Sequence, residues 1–490
     1  MRITILRCLA AIAACSLTQV AVADEDVDRL TGAMLGDTPV IDDLHELTDA
    51  IGGRLTGTDA NRKAVAWAAA KLRQAEVNVI TEDFEMPYKW QERLVRASVA
   101  GDVAFNPNVV TKQFSAPATE LEGNLLDGGF GSEADFARLG ATAADAWVLV
   151  ETRVLDDDVG LGGLFAEFAE AAAIEPRAFA AGVAGVVFMS SRPKNLVYRH
   201  NASAGGVNKH PLLVMEREHA QRALRLLRAG NELSLTATIG VESGSSYTAT
   251  NVIGEIRGNK RPNEIVLFGA HLDSHELGTG ALDNGVNVAM LINIARQITR
   301  LGLTPERTIR FVLWNGEEQG LVGSWKYTEQ HDGELDNHVV AASFDIGSGR
   351  TTGFFTGGRG EIIPFLDEYL APVAGLGPFG HANVPVVGTD NFDFMIQGVP
   401  NLVGFQSDAN YASNYHAESD TFDKVDQQQV RLNSAITAAV IWGFANDTER
   451  LPRQTHDEIQ ALMDGTDLEQ QMKNLAVWDG WANGTRGRHD

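Results

Sequence analysis

A chain of 490 residues exceeds one typical domain and can bury at least one large core. Its 44% hydrophobic and 21% charged residues are ordinary for a globular protein. The formal net charge of −25 argues against nucleic acid or anionic membrane as a partner, since both repel an acidic chain, and it specifies no substrate.

Taken in chain order, the first 23 residues read as a secretory signal. Arg2 and Arg7 open it, an apolar run over Leu9–Leu17 follows, and Ala21-Val22-Ala23 has the small-x-small form of a cleavage site. The run is too short to span a bilayer. Within it, Ile12-Ala13-Ala14-Cys15 resembles a lipoprotein box, so anchoring through Cys15 is the minority alternative to export into the periplasm or medium. Cys8 and Cys15 are the only cysteines. A chain cut after Ala23 has no thiol chemistry, and any metal site in it must use His, Asp and Glu.

Residues 24–116 are expected to form the first part of a catalytic domain. Asp42–Ile51 and Asn61–Ala75 have helical spacing of apolar residues, and the glycine-punctuated loop Gly52–Thr58 separates them. From 117 to 245 the texture changes to short apolar strands (Ala146–Val150, Gly185–Met189) alternating with alanine-rich helices, which reads as an inserted module. From 246 to 450 the pattern is strand, loop, helix, repeated. Ile265–Phe268, Ile309–Trp314 and Val339–Phe344 are nearly continuous apolar runs, as buried parallel strands require. Val288, Leu291, Ile292, Ala295 and Ile298 share one helix face. The fold expected is α/β, with a mixed, mostly parallel sheet flanked by helices. Residues 451–490 read as a peripheral tail.

The candidate metal ligands fall where such a sheet places a site, at the carboxyl ends of strands. His271 follows one apolar run, Glu317 and Glu318 a second, and Asp345 a third, while His416 lies in a loop after Asn401–Phe405. Zinc takes imidazole nitrogen and carboxylate oxygen when thiolate is lacking. Two zinc ions about 3.5–4 Å apart need a bridging carboxylate and a bridging water. Asp283, at the mouth of a helix, is the natural bridge. We pair His271 and Asp345 on one ion, and Glu318 and His416 on the other. Glu317 is then the general base for the bridging water. Asp273 and Asp420 are expected to orient the imidazoles of His271 and His416.

Gly269-Ala270-His271-Leu272-Asp273-Ser274, the Gly280–Gly285 loop, and the run from Asn315 to Ser324 resemble the co-catalytic zinc exopeptidases, which include bacterial leucyl aminopeptidases and carboxypeptidase Q. Tyr415-His416-Ala417-Glu418-Ser419-Asp420-Thr421 matches that family's last metal-binding stretch. The resemblance covers most of the mature chain, weakly in the insert and hardly at all in the tail. It implies two zinc ions per chain, the ligand and base roles given above, a cis peptide after Asp283, and a protease-associated domain as the insert. Thr389, Asp390 and Tyr415 stand in the segments expected to form a substrate pocket. Asn284 departs from carboxypeptidase Q, which has an acidic residue there, and matches the aminopeptidase branch. The implied partner is a peptide, with no membrane span and with a homodimer as an option. Alternatives are an aminopeptidase on longer peptides, a single-zinc glutaminyl cyclase-like acyltransferase, and a non-catalytic receptor-like binding protein. His200, His210, His275, His338 and His381 receive no metal role, although His275 stands close enough to line the site. Gly160–Gly163 lacks the lysine of a phosphate loop and is read as a turn.

Overall fold

The computed structural model of the chain describes residues 25–157, 160–200 and 209–489. The segment expected to be a signal sequence, with its expected cleavage site and Cys15, lies outside the described residues. No helix among those described is long and apolar enough to cross a membrane.

The apolar runs become the core of a seven-stranded sheet, ordered Asn78–Met86, Tyr247–Ile256, Arg307–Trp314, Arg261–His271, His338–Ser343, Asn401–Gln406 and Thr351–Phe355. The four strands from Arg307–Trp314 to Asn401–Gln406 pair parallel, and the outer pairings are antiparallel. Both faces of the central strands are buried, so their side chains divide by the period of two. Val266, Phe268 and Ala270 point into a core shared with the helices Asp59–Gln74, Val286–Arg300 and Gln427–Asn446. Ile265 and Leu267 point the other way, towards Tyr327 and Phe394. The expected face of Val288, Leu291, Ile292, Ala295 and Ile298 lies wholly in the first core. Helix starts follow capping chemistry: the Thr58 side chain accepts from Asn61 N at 3.1 Å, and Asp426 from Gln429 N at 2.9 Å.

A second seven-stranded sheet runs in the order Lys89–Gly101, Leu233–Gly244, Ala118–Asp127, Trp147–Val150, Gly185–Met189, Leu212–Met215 and Val109–Thr111. It begins upstream of the texture change at 117. Lys89–Gly101 pairs with Leu233–Gly244 along its whole length, yet Arg93, Leu94 and Arg96 are exposed, so it carries no apolar signature. This unit meets the first sheet at the site loops. Tyr198 bridges Ala417, Arg199 N donates to His416 O at 2.8 Å, and Gln113 Nε2 donates to Glu318 O at 2.7 Å.

The last residues are not peripheral, contrary to the reading of their composition. Three short helices, His456–Gly465, Leu468–Asn474 and Trp478–Ala482, bury Ile459, Met463, Leu468, Met472 and Trp481 against Val387, Phe392 and Ile396. Arg486 closes the arrangement. Its guanidinium meets Asp393 at 2.7 and 2.8 Å and donates to Leu321 O at 3.2 Å, with both residues almost fully buried. Removing one partner of a buried pair strands the other charge, at about 3–5 kcal/mol. Arg486→Ala is therefore expected to lower unfolding stability by that order in a denaturant titration. A loss below about 1 kcal/mol, the worth of a surface pair, would show that the tail is not locked there.

Candidate metal centre

The parallel strands deliver their carboxyl ends to one edge, and the candidate ligands converge there. His271 ends its strand, the turn after Trp314 carries Glu317 and Glu318, and Asp345 follows Ser343 by two residues. His271 Nε2 lies 3.0 Å from Asp283 Oδ1 and 3.3 Å from Asp345 Oδ1. His416 Nε2 lies 3.2 Å from Asp283 Oδ2 and 3.2 Å from Glu318 Oε2. Asp283 thus offers one oxygen to each histidine. The peptide between Asp283 and Asn284 is cis.

Each ring is held with its other nitrogen on a carbonyl. His271 Nδ1 donates to Asp273 O at 3.0 Å, and His416 Nδ1 donates to Arg199 O at 3.1 Å. This tautomer leaves Nε2 with its lone pair facing the carboxylates, as a metal ligand needs. His416 sits at φ +56°, a left-handed conformation that the pairing with Arg199 holds in place. The fit to cations is visible in the donor set. Asp283 Oδ2 and Glu318 Oε1 are buried oxygens with no hydrogen-bond donor, and His271, Asp283 and Asp345 form one cluster of ligand atoms within 4.8 Å of one another. A second such cluster joins Glu318 and His416 to His275, to which the sequence reading gave no metal role. A third joins His271, Glu317 and Glu318.

Asp273 Oδ1 stands 3.7 Å from His271 Nδ1. Its Oδ2 accepts from Thr56 Oγ1 at 2.8 Å and Gly316 N at 3.0 Å, fixing the turn that presents Glu317. Asp420 does not reach the His416 ring. It accepts from Leu282 N at 2.6 Å and Asp283 N at 3.1 Å, so it positions the central carboxylate instead. Burial, reinforced by Asp283, raises the Asp420 carboxyl to about 7. Arg54, fully buried, holds the same segment by donating to the carbonyls of Leu272, Thr279 and Gly280 at 2.6–3.0 Å. Nothing in a lone arginine of the Gly52–Thr58 loop signals this role.

Burial, then the neighbouring Asp345, Glu318 and Asp390, push Glu317 well above the usual carboxylate range, although His271 opposes them. Glu318 lies well below that range: burial raises it, but His275 and His416 prevail. Glu317, Glu318 and Asp345 open on a cleft with Thr389 and Tyr415. Its other walls are Phe165 and Phe168 from the helix Gly160–Ala180, and Leu475 and Val477 from the C-terminal segment. Asp390 is buried behind this surface, with both oxygens lacking a hydrogen bond, while Thr389 Oγ1 meets Ser343 Oγ at 2.8 Å. Replacing Asp420 with Ala leaves two buried N–H groups without their acceptor. It is expected to cut zinc affinity 10–100-fold, the usual cost of losing an outer partner. Competition with a chromophoric chelator measures this, and an affinity equal to the parent chain's would refute the positioning role.

Residues 251–441 match the profile of Peptidase family M28. The chain is 32% identical to bovine (Bos taurus) carboxypeptidase Q over 250 residues, which cover 51% of this chain and 52% of that protein. It thus spans about half the length of the curated relatives it matches. Among solved structures, a Peptidase M28 precursor from Shewanella amazonensis superposes with a TM-score of 0.79 at 26% identity, covering 89% of this chain and 99% of that one. A zinc aminopeptidase from Bacillus subtilis shares the fold, with a TM-score of 0.65 at 19% identity and 86% and 98% coverage. With its candidate ligands at the carboxyl edge of the mixed sheet, the segment 251–441 is similar to Peptidase family M28.

Proposed function

We propose that this protein is an exported metallo-exopeptidase that holds two zinc ions and hydrolyses peptide bonds of dipeptides or short peptides. The observation that carries the reading is the division of Asp283 between two histidines, His271 with Asp345 on one side and His416 with Glu318 on the other. Carboxypeptidase Q and the Bacillus zinc aminopeptidase, by their names, belong to the same chemistry. Export rests on the N-terminal signal pattern. The second sheet is taken as a protease-associated module, which its place on the cleft and against the His416 loop supports.

His271, Asp283 and Asp345 would hold one ion, and Asp283, Glu318 and His416 the other. Bound there, such ions lower the pKa of water and polarise a carbonyl. The residues of the chain do the rest. Glu317, facing the cleft beside them, accepts the proton of the attacking water and returns it to the leaving nitrogen as the peptide bond breaks. Its raised pKa, set first by burial, suits it to carry that proton.

The cleft also favours one end of the substrate. Its described lining includes Glu317, Glu318 and Asp345 but no lysine, arginine or histidine. A free α-amino group finds carboxylates there, whereas a terminal carboxylate finds no cationic side chain among the described lining. That favours recognition from the amino end, as an aminopeptidase or a dipeptidase requires.

Glu317→Gln is expected to retain the zinc content of the parent and to lose about 10²–10⁴-fold in turnover. Loss of zinc from that variant would make Glu317 a ligand instead. Free dipeptides and amino-acyl anilides should be cleaved in a chelator-sensitive manner, and N-acetylated dipeptides should not. Equal cleavage of the acetylated substrates would overturn the amino-end reading, and no turnover of any would overturn the function.

A further inference from the structure

We propose that His275 is a further protein ligand of the Glu318–His416 ion, which gives that ion four protein donors. The inference deepens the two-metal reading and rests on it. His275 Nε2 lies 3.0 Å from Glu318 Oε2, and the His275 and His416 rings stand with their centroids 4.1 Å apart at 59°. Glu318 Oε2 is in turn 3.2 Å from His416 Nε2, which is 3.2 Å from Asp283 Oδ2. All four side chains are at most 4% exposed.

These spacings are informative. Donors at zinc's ordinary bond lengths of about 2.0–2.1 Å form a tetrahedron whose edges are about 3.3 Å. Three edges measured among the four residues run from 3.0 to 3.2 Å. A small void lies between them, bounded by His275, Asp283, Glu318, His416 and the glycines 278 and 280. Both glycines keep that space clear: a Cβ at 278 would stand 2.7 Å from the carbonyls of Ala417 and Asp420, and one at 280 would stand 2.4 Å from Ser274. The donor set is also chemically coherent, with two imidazoles and two carboxylates around one ion.

On the other half, His271 Nε2 has Asp283 and Asp345 as its carboxylate neighbours, and the further ligand atom near it belongs to Glu317, the proposed base. Each cluster sends a carboxylate to the cleft, Asp345 from one and Glu318 from the other. The chain would therefore hold its two ions unequally, with one protein donor more on the Glu318–His416 ion.

The test begins with the full mature chain loaded with two zinc ions and dialysed against graded chelator, with metal content read by mass spectrometry. The parent is expected to lose one ion early and keep the second. His275→Ala should lose the second as well, with its affinity down by more than about 100-fold, beyond the range for an outer partner. His275→Cys supplies a thiolate in place of the imidazole. Loaded with cobalt, this variant should show a sulfur-to-cobalt charge-transfer band in the near ultraviolet that the parent lacks, and a group that merely packs beside Glu318 cannot produce it. Absence of that band from a folded, two-cobalt Cys variant overturns the ligand assignment, as does loss of both ions from the parent at one chelator concentration. A parent that never binds two ions overturns the two-metal reading beneath it, and the stoichiometry before dialysis shows which has failed.

Discussion

The structure depends on a concentration of negative charge in a place with little water. Asp273, Asp283, Glu318, Asp390 and Asp420 are buried at one sheet edge, and Glu317 and Asp345 are half-buried beside them. Unpaired, such charges are prohibitively costly to bury. The guanidinium in their midst, Arg54, is committed to three carbonyls, and burial lowers its pKa to about 10. Cations at this edge would supply the balance, and each histidine ring turns its Nε2 to the same carboxylates. The surrounding geometry results from holding this edge still: Asp420 grips the backbone at Asp283, Asp273 the turn before Glu317, and Arg199 the ring of His416.

Much of this edge was legible in the sequence because strand ends are legible. A buried parallel strand is a short continuous apolar run, and the residues just past its end land at the site, so His271, Glu317, Glu318 and Asp345 could be placed from spacing alone. Directions within the loops were not legible. Asp273 and Asp420 were expected on imidazoles, yet Asp273 also holds a backbone turn and Asp420 holds two backbone N–H groups instead, because a side chain's partner depends on loop torsions that residue identity does not encode. His275 went unassigned for a related reason. A single histidine four residues beyond a strand end carries no periodic signal, and its company appears once Glu318 and His416 arrive from 43 and 141 residues further along the chain.

The second sheet and the tail were harder to read for the opposite reason: their cores are assembled from fragments. Lys89–Gly101 is a wet strand whose partner lies far away in sequence. The tail's apolar residues are spread over three short helices, none long enough for a clear amphipathic pattern, and their burial depends on a surface at Val387–Ile396 that composition does not reveal.

That tail has a consequence in the order of synthesis. Every proposed metal ligand precedes residue 417, whereas Leu475 and Val477 supply a wall of the cleft, and Arg486, which fastens this segment, comes later still. The charge-bearing edge can assemble before the final helices emerge. The shape of the substrate space, in contrast, is completed by residues made well after the last ligand, so a chain cut short before Leu475 would keep its ligands and lose that wall of the cleft.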